Sequence, residues 1–284
     1  MAHQRNDSTA APTATSLLLD LLVARGGESL PARAAVAACA LFGIRETAAR
    51  VALVRLSASG RIEATGRGEY RFADSERDLL NEVWGWRTAN ERTRAWRGAY
   101  VAVHVAQTGA KDRARSSRSA RALSLVGLAE LDRDLYVRPD NLSGGLEGAR
   151  ARLVSLGLDP SARVFAARGF DPQSEARARA LWNTRALAAL YVRGHADVHK
   201  WLARASSLDL DEAAREAFLL GNRAIKALVY DPWLPAPLVD EGARGEYVAS
   251  VKELDRVGRE LWQRFFVHVL EDDARPERGL ASAH

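Results

Sequence analysis

The chain has 284 residues, of which 47% are hydrophobic and 27% charged, and its formal net charge is +5. This composition is typical of an ordinary soluble globular protein, and the length suits about two domains or three small ones. The single cysteine, Cys39, excludes an internal disulfide and a cysteine-rich zinc site, and we expect it to be buried. No apolar run approaches the roughly 18 residues of a membrane span, and the polar start lacks signal-peptide features, so we expect a cytoplasmic protein.

Nearly all of the positive charge is carried by arginine rather than lysine. Arginine suits bidentate contacts to phosphate and guanine, so this usage favours an acidic partner such as DNA. A chain rich in Arg and Ala is equally typical of a GC-rich genome. The arginine count alone therefore does not distinguish an acidic partner from a GC-rich genome.

The amino-terminal residues are polar and rich in Ala, Ser and Thr, which predicts a disordered arm over residues 1–15. Ser16 then caps a short helix from Leu17 to Ala24. The leucines of this helix are expected to pack behind the two helices that follow it in the chain.

Residues 30–73 have the pattern of two helices joined by a tight turn and followed by a β-hairpin. Pro31 opens the first helix, Gly43 lies in the turn, and the second helix runs from Arg45 to a stop at Gly60. Alternating polar and apolar residues then predict two strands around a glycine-rich tip. This order predicts a winged helix-turn-helix domain over residues 16–73, a unit that lays its second helix in the DNA major groove.

In the second helix we expect Val51 and Val54 to turn inward while Arg50 and Arg55 face the DNA. Arg55 has the alternative role of holding a carboxylate within the domain. The predicted DNA contacts are hydroxyl and guanidinium groups of this helix and of the wing: Arg45, Thr47, Arg50, Arg55, Arg67 and Arg71. The competing interpretation of each arginine is a solvated surface charge.

Residues 74–95 are predicted to form a linker helix that begins at an Asp74-Ser75 cap. Beyond it the pattern is β-α-β-α-β. Strands are expected at Ala99–Val105, Asp134–Arg138 and Ala162–Ala167, with a helix at Leu142–Leu156. This alternation predicts a small ferredoxin-like α/β domain over residues 96–170.

A second basic cluster lies near the start of that domain and consists of Arg113, Arg115, Arg118 and Arg121. It is expected either to extend the contact with DNA or to bind the phosphates of an acidic effector. The competing interpretation is a flexible solvated loop.

From Pro172 onward the pattern is helical, so the expected fold class is α+β. The predicted helices are Glu175–Tyr191, Ala196–Ala205, Asp211–Ala227 and Gly245–Val269. They define a helical carboxyl-terminal domain over residues 171–271. Residues 272–284 are predicted to be a disordered tail.

Five segments in this order resemble the PaaX family of bacterial transcriptional repressors. They are Phe42–Thr47, Arg50–Leu56, Gly66–Phe72, Trp96 before a strand, and Leu228–Pro235. The resemblance covers roughly residues 16–269. It implies a winged-helix domain, a middle domain like the CRISPR-associated Cas2 fold, and a helical carboxyl-terminal domain.

The resemblance also implies a homodimeric repressor that binds an operator in double-stranded DNA and is released by an aromatic acyl-coenzyme A thioester. Domain interfaces favour ligand sites, and the predicted effector-binding residues are Trp96, His104, Arg138, Trp182 and Trp233. A packed core is the competing interpretation of these aromatic residues. Control by a protein partner rather than a metabolite is the alternative for the whole regulator.

No enzyme, cofactor or metal site is expected from the sequence. His195 and His199 are four positions apart on a predicted helix, but Ala196 occupies the position where a zincin has glutamate. The first strand of the middle domain ends without the aspartate that a metal-dependent nuclease of that fold would need. A GxxxxGK[ST] loop and a Ser/His/Asp arrangement are also missing from the sequence.

Overall fold

The computed structural model describes residues 12–66, 68–105 and 113–272, and the chain divides into two units. Unit 1 contains the residues up to 77 together with 200–223 and those from 253 onward, whereas unit 2 contains 78–199 and 224–252. The predicted domain boundaries stay predictions. The fold is mixed α and β, with antiparallel sheets and a helical carboxyl-terminal region, as expected for the class.

The helices and strands of the described residues are numbered in chain order. The helices are α1 (Ala14–Ala24), α2 (Ala32–Ala40), α3 (Glu46–Ala58), α4 (Arg77–Trp84), α5 (Arg113–Leu125), α6 (Gly145–Ser155), α7 (Pro172–Arg179), α8 (Thr184–Leu202), α9 (Leu210–Val229) and α10 (Glu241–Asp272). The strands are β1 (Leu30–Pro31), β2 (Ile62–Gly66), β3 (Glu69–Phe72), β4 (Tyr100–His104), β5 (Ala129–Asp132), β6 (Leu135–Pro139) and β7 (Arg163–Ala167). Most of the predicted linker after α4 is a 3-10 helix, at Gly85–Arg92.

Helix α1 begins at Ala14, earlier than the predicted cap at Ser16. Thr13 and Ser16 form a reciprocal capping box, in which Ser16 N donates to Thr13 Oγ1 at 3.1 Å and Thr13 N donates to Ser16 Oγ at 3.0 Å. The usual signal has Glu or Gln at the second of these positions. Serine in its place hides the start of the helix from a sequence-based prediction.

Small side chains pack the amino-terminal helices of unit 1 together. Helices α1, α2 and α3 all contact one another. Their buried residues are leucines of α1, alanines and a cysteine of α2, and alanines and leucines of α3: Leu17, Leu18, Leu21, Leu22, Ala34, Ala35, Ala38, Cys39, Ala49, Ala52, Leu53 and Leu56. Cys39 is buried as expected, and this burial raises the pKa of its thiol to about 11.

Helices α9 and α10 complete the core of unit 1. Phe42, between α2 and α3, packs edge-on against Phe218 of α9 with ring centroids 5.3 Å apart, and Phe218 in turn packs against Trp262 of α10 at 6.0 Å. Asn222 Nδ2 also donates a hydrogen bond of 2.6 Å to Asp20 on α1. The first helices of the chain therefore share a core with two of its last.

Unit 2 contains a four-stranded antiparallel sheet in the order β5-β6-β4-β7. The sequence predicted three of these strands and missed β5. The turn from β5 to β6 is Arg133-Asp134, in which Asp134 has a φ of 62°. Because this two-residue turn has no glycine and β5 is only four residues long, neither element produced a clear sequence signal.

The predicted break between the helices at Glu175–Tyr191 and Ala196–Ala205 is wrong. The break falls instead between α7 and α8, where Asn183 Oδ1 accepts a hydrogen bond of 3.0 Å from Ala186 N in the first turn of α8. Gly194 lies inside α8, where the ring of Tyr247 packs against it. A Cβ atom at Gly194 would stand 2.5 Å from Tyr247 Cε2.

Within the described ranges, the structure has no helix that combines the length and the apolar character needed to cross a membrane.

Gly194→Ala is expected to lower the free energy of unfolding by about 1–3 kcal/mol, because the added methyl group overlaps a buried tyrosine ring. Gly245→Ala is the matched control within unit 2. It lies inside α10, and a Cβ atom added there would have nothing within 4 Å, so the better helix former should stabilise by about 0.5–1 kcal/mol. Urea denaturation measures both changes, and shifts of the same sign would contradict the packing described.

Candidate nucleic-acid interface

A glycine turn fixes how the chain passes from α2 to α3. Gly43 has a φ of 70°, a left-handed conformation that favours glycine. Its N–H donates to Ala40 O at 2.9 Å and that of Ile44 donates to Cys39 O at 3.0 Å, which is the hydrogen-bond pattern of a Schellman motif. The α2–α3 turn is therefore a defined structure, and α3 begins in a fixed direction.

Helix α3 has one buried side and one exposed side. The buried side consists of Ala49, Ala52, Leu53 and Leu56, each at most 4% exposed. The prediction that Val51 and Val54 turn inward is wrong, since they are 47% and 64% exposed. The small alanines face the other helices because they permit close packing, and the valines then lie on the opposite side of the helix.

Arg50 and Arg55 border the exposed valines on either side. Five positions at 3.6 residues per turn place these two arginines about 140° apart around the helix. Arg50 Nε lies 2.7 Å from Glu46 Oε1, and both side chains are 59% exposed. Such a surface ion pair stabilises by only about 0–1 kcal/mol, so Arg50 can exchange Glu46 for another anion at little cost.

Arg55 is exposed, and its side chain makes no hydrogen bond or ion pair with the described residues. The alternative in which it holds a carboxylate of the domain therefore has no support in the described structure. Arg45 and Thr47 are also exposed, the first as the N-cap residue of α3 and the second in its first turn. Ala48 N in that turn donates to Arg45 O at 3.0 Å, and the N–H groups before it lie at the helix start, where backbone donors lack intrahelical acceptors and suit a phosphate.

Two DNA contacts were predicted in the β2–β3 hairpin, and the side chain of one of them, Arg71, forms an ion pair within the hairpin itself. Arg71 stands opposite Glu63 in the strand register and forms an ion pair with it, and it lies 3.9 Å from Asp74. Arg67, the other predicted contact, lies outside the described residues. The hairpin is joined to the start of α2, because Ala32 N donates to Gly68 O at 2.7 Å.

The second basic cluster lies on α5, which begins at Arg113, and the preceding residues 106–112 fall outside the described part of the chain. Arg115 forms an ion pair with Asp159, whose side chain is only 3% exposed, with 3.0 Å between Arg115 Nη2 and Asp159 Oδ1. Arg118 and Arg121 are exposed. Arg115 thus has a structural partner, and the two later arginines face solvent.

Two of the predicted effector-binding residues, Arg138 and Trp233, belong to one buried polar network. Arg138 donates to Pro139 O at 3.1 Å, to Val126 O, and to Asn141 Oδ1 at 2.8 Å, and burial lowers its pKa to about 9. Asn141 Nδ2 then donates to Trp233 O at 2.8 Å. These groups satisfy one another's hydrogen bonds inside unit 2.

The same network also contains Tyr191, Asp231 and Arg244, which were not among the predicted site residues. Asp231 accepts from Tyr191 OH at 2.6 Å and from Trp233 N at 2.7 Å, and burial raises the pKa of its carboxyl group. Arg244, 2% exposed, donates to Leu234 O at 2.6 Å and stacks 5.2 Å from the Trp233 ring. The proline-flanked run around Trp233 was the available signal for this buried segment.

The other predicted effector residues lie apart from that network. Trp96 Nε1 donates to Ala99 O at 2.6 Å and its ring packs against Tyr100. His104 is exposed at the end of β4, and Trp182 is half-buried after α7. Trp233 lines a cavity of about 20 Å³, which is too small for a metabolite.

A larger open groove, of about 990 Å³, lies in unit 1 between the start of α9 and the end of α10. Its charged lining is mainly acidic and comprises Asp209, Asp211, Glu260, Glu271, Arg264 and His268. No predicted effector residue lines it. Four carboxylates make this groove unfavourable for the phosphates of a coenzyme A thioester.

The two histidine rings of α8 contact each other with centroids 4.4 Å apart and planes tilted by 56°, and His195 Nδ1 lies 3.3 Å from Glu246 O. Across residues 12–66, 68–105 and 113–272, no three His, Cys, Asp or Glu side chains are grouped as metal ligands would be. These histidines are therefore a pair on one helix face.

The family model described as PaaX-like protein matches residues 10–76, the stretch that contains α1 to α3 and the β2–β3 hairpin. This part of the chain is PaaX-like. The match confirms the resemblance for the segments up to Phe72, and a PaaX-like domain suggests a transcriptional regulator.

Among solved structures, the chain is similar to the uncharacterized protein Rv0674 from Mycobacterium tuberculosis. The two share 25% sequence identity with a TM-score of 0.53, over 88% of this chain and 99% of that one. Comparison with curated proteins finds no match. The structural similarity extends well beyond the PaaX-like stretch and concerns the fold.

Asp159→Asn is expected to lower the free energy of unfolding at pH 7, because it removes the charge that Ser161 and Arg115 stabilise. Those hydrogen bonds, with Ser161 first, hold the pKa of the carboxyl group below its ordinary 3.8. The carboxylate therefore contributes fully above pH 3.8 and its contribution is lost as the pH falls through the lower folded-state pKa.

The difference between wild type and Asp159→Asn should accordingly shrink below that pH in denaturation curves. Asp132→Asn provides the comparison, since its ion pair with Arg177 is exposed at both ends. It should shift stability by about 0.5 kcal/mol or less. A pH-independent difference for Asp159→Asn would contradict the role given to the charge.

Proposed function

We propose that this protein is a sequence-specific DNA-binding transcriptional repressor of the PaaX type, built as a homodimer. Residues 16–73 act as a winged helix-turn-helix domain, with α3 as the recognition helix and the β2–β3 hairpin as the wing. The four-stranded sheet of unit 2 serves as the ferredoxin-like domain of the family. Its element order, β4-α5-β5-β6-α6-β7, supports that assignment.

One observation carries the proposal: the PaaX-like match falls on the stretch whose α3 has an exposed face bordered by arginines. Arg50 and Arg55 contact base edges or phosphates from the two borders of that face. Thr47 and the first-turn N–H groups of α3 bind a backbone phosphate. Arg45 adds charge beside them, while Arg67 and Arg71 act from the wing.

A homodimer places two α3 helices in successive major grooves. Helix-turn-helix dimers bind half-sites about 34–36 Å apart, or a multiple of this distance. Two exposed recognition helices related by a twofold axis would therefore require a palindromic operator. Any effector that stabilises a different spacing of the two helices weakens DNA binding without touching the DNA.

Release by an aromatic acyl-coenzyme A thioester is the first candidate for regulation, and it rests on the resemblance to the PaaX family. Its predicted contacts are Trp96, His104, Arg138, Trp182 and Trp233. Arg138 and Trp233 already belong to a satisfied buried network and the cavity beside Trp233 is too small for a metabolite, so a thioester site has to include other residues. The alternative is control by a protein partner. The acidic lining of the 990 Å³ groove favours this alternative, because a basic protein segment suits four carboxylates better than a polyphosphate does.

Arg50→Ala should weaken binding to the preferred duplex by about fivefold to 150-fold, since a lost base contact costs roughly 1–3 kcal/mol. The duplex is first selected from a random pool with the wild-type protein, and mobility shift then measures affinity. Arg256→Ala is the matched control, because Arg256 is also exposed and pairs with a glutamate four positions away, at 2.6 Å.

Both substitutions should leave the melting temperature nearly unchanged, because exposed substitutions usually shift stability by about 0.5 kcal/mol or less. The control should also keep its DNA affinity. Undiminished specific binding by Arg50→Ala would show that α3 does not read the DNA in the proposed way.

Aromatic acyl-coenzyme A thioesters should lower the affinity for the selected duplex, by about fivefold to 150-fold if the coupling is of ordinary strength. Mobility shift with a panel of these thioesters, and with free coenzyme A as the control, measures the change. Unchanged affinity across the panel, together with a stable heteromeric complex on pull-down, would favour the protein partner.

A further inference from the structure

We propose that Val51 and Val54 read the 5-methyl groups of thymine in the major groove, so that each half-site has thymine at its centre. The inference rests on the proposed function, because it assumes that α3 enters the groove. It goes further by naming which bases are recognised and by assigning specificity to two apolar residues that sequence analysis had placed in the core.

The first support is the exposure of the two valines. They are 47% and 64% exposed, whereas the buried side of the same helix consists of two alanines and two leucines, each at most 4% exposed. Thr47, Val51, Val54 and Ala58 follow one another at spacings of four, three and four, so they form one stripe along the helix. Valine is a poorer helix former than alanine, and burial within the fold does not offset this cost here.

We call the row of Thr47, Val51, Val54 and Ala58 the valine stripe. The second support is the charge that surrounds it. Arg50 and Arg55 border the valine stripe, and Arg45 lies at the start of α3. Glu46 is the one acidic residue of that helix. The occupant must therefore present anionic groups at its edges and apolar groups at its centre. The major groove does so, with phosphates along its borders and thymine methyl groups on its floor.

The dimensions of helix and groove agree. A helix is about 10–12 Å wide and the major groove is about 12 Å wide. At a rise of 1.5 Å per residue, Thr47 to Val54 spans roughly 10 Å along α3. With base pairs about 3.4 Å apart, this length faces roughly three of them. One or two thymines per half-site can thus meet the two valines, with guanines or phosphates for the arginines beside them.

The experiment removes the methyl group from the DNA and the valine from the protein in turn. The wild-type protein selects its preferred duplex from a random pool, and each thymine is then replaced by deoxyuridine. The wild type should lose about threefold to fivefold in affinity for each contacted methyl group. Val51→Ala and Val54→Ala should bind the thymine duplex more weakly, and the deoxyuridine replacement should then cause little further loss.

Val154→Ala is the matched control, since Val154 is 64% exposed on α6, the same fraction as Val54. It should keep both the wild-type affinity and the wild-type response to deoxyuridine. The α3 variants should stay folded by circular dichroism, because exposed valine to alanine favours the helix.

The outcomes separate this inference from the proposed function. Equal affinity of the wild type for thymine and deoxyuridine duplexes would overturn the inference and leave DNA binding intact. A response to deoxyuridine that is unchanged in both valine variants would also overturn it, and would leave the valine stripe to a protein partner. If the pool yields no preferred duplex, the proposed function itself fails.

Discussion

The packing of Ala49, Ala52, Leu53 and Leu56 against the other amino-terminal helices is the constraint on which the proposed interface depends. A helix is rigid, so burying one side fixes the direction of every other side chain on it. The exposed arginines, the threonine of the first turn and the valine stripe all take their positions from this contact. The Schellman turn at Gly43 adds the second constraint, because it sets where α3 begins.

Unit 2 depends on a different principle, the mutual satisfaction of buried polar groups. Arg138, Asn141 and Asp231 are each at most 2% exposed, and each forms hydrogen bonds that secure the segment around Trp233. Removing one partner from such a network leaves the others buried without hydrogen bonds, which is usually more costly than the net strength of the bond itself. The network therefore specifies one path for this segment and explains why a charged residue lies in the interior.

Local signals decided which features were predictable from the sequence. The turn at Gly43, the stop at Gly60 and the alternation of the wing residues each depend on a few neighbouring residues, and these elements were predicted close to their bounds. The strand β5 and the break before α8 depend on a turn without glycine and on an asparagine cap, which are weaker signals. Whether Val51 and Val54 point to the core or to solvent does not depend on the neighbouring residues in the sequence. Both sides of α3 are partly apolar, so only its packing against α1 and α2 decides which is buried.

The shared core of unit 1 has a consequence for synthesis of the chain. Phe42 leaves the ribosome well before Phe218 and Trp262, by roughly 9 to 44 seconds at about 5–20 residues per second. During this interval the nascent amino-terminal helices are not yet packed against α9 and α10. Apolar side chains that are later buried are then exposed to chaperones. Folding of unit 1 therefore cannot finish until α10 has been synthesised, although it begins with the first helices described in the chain.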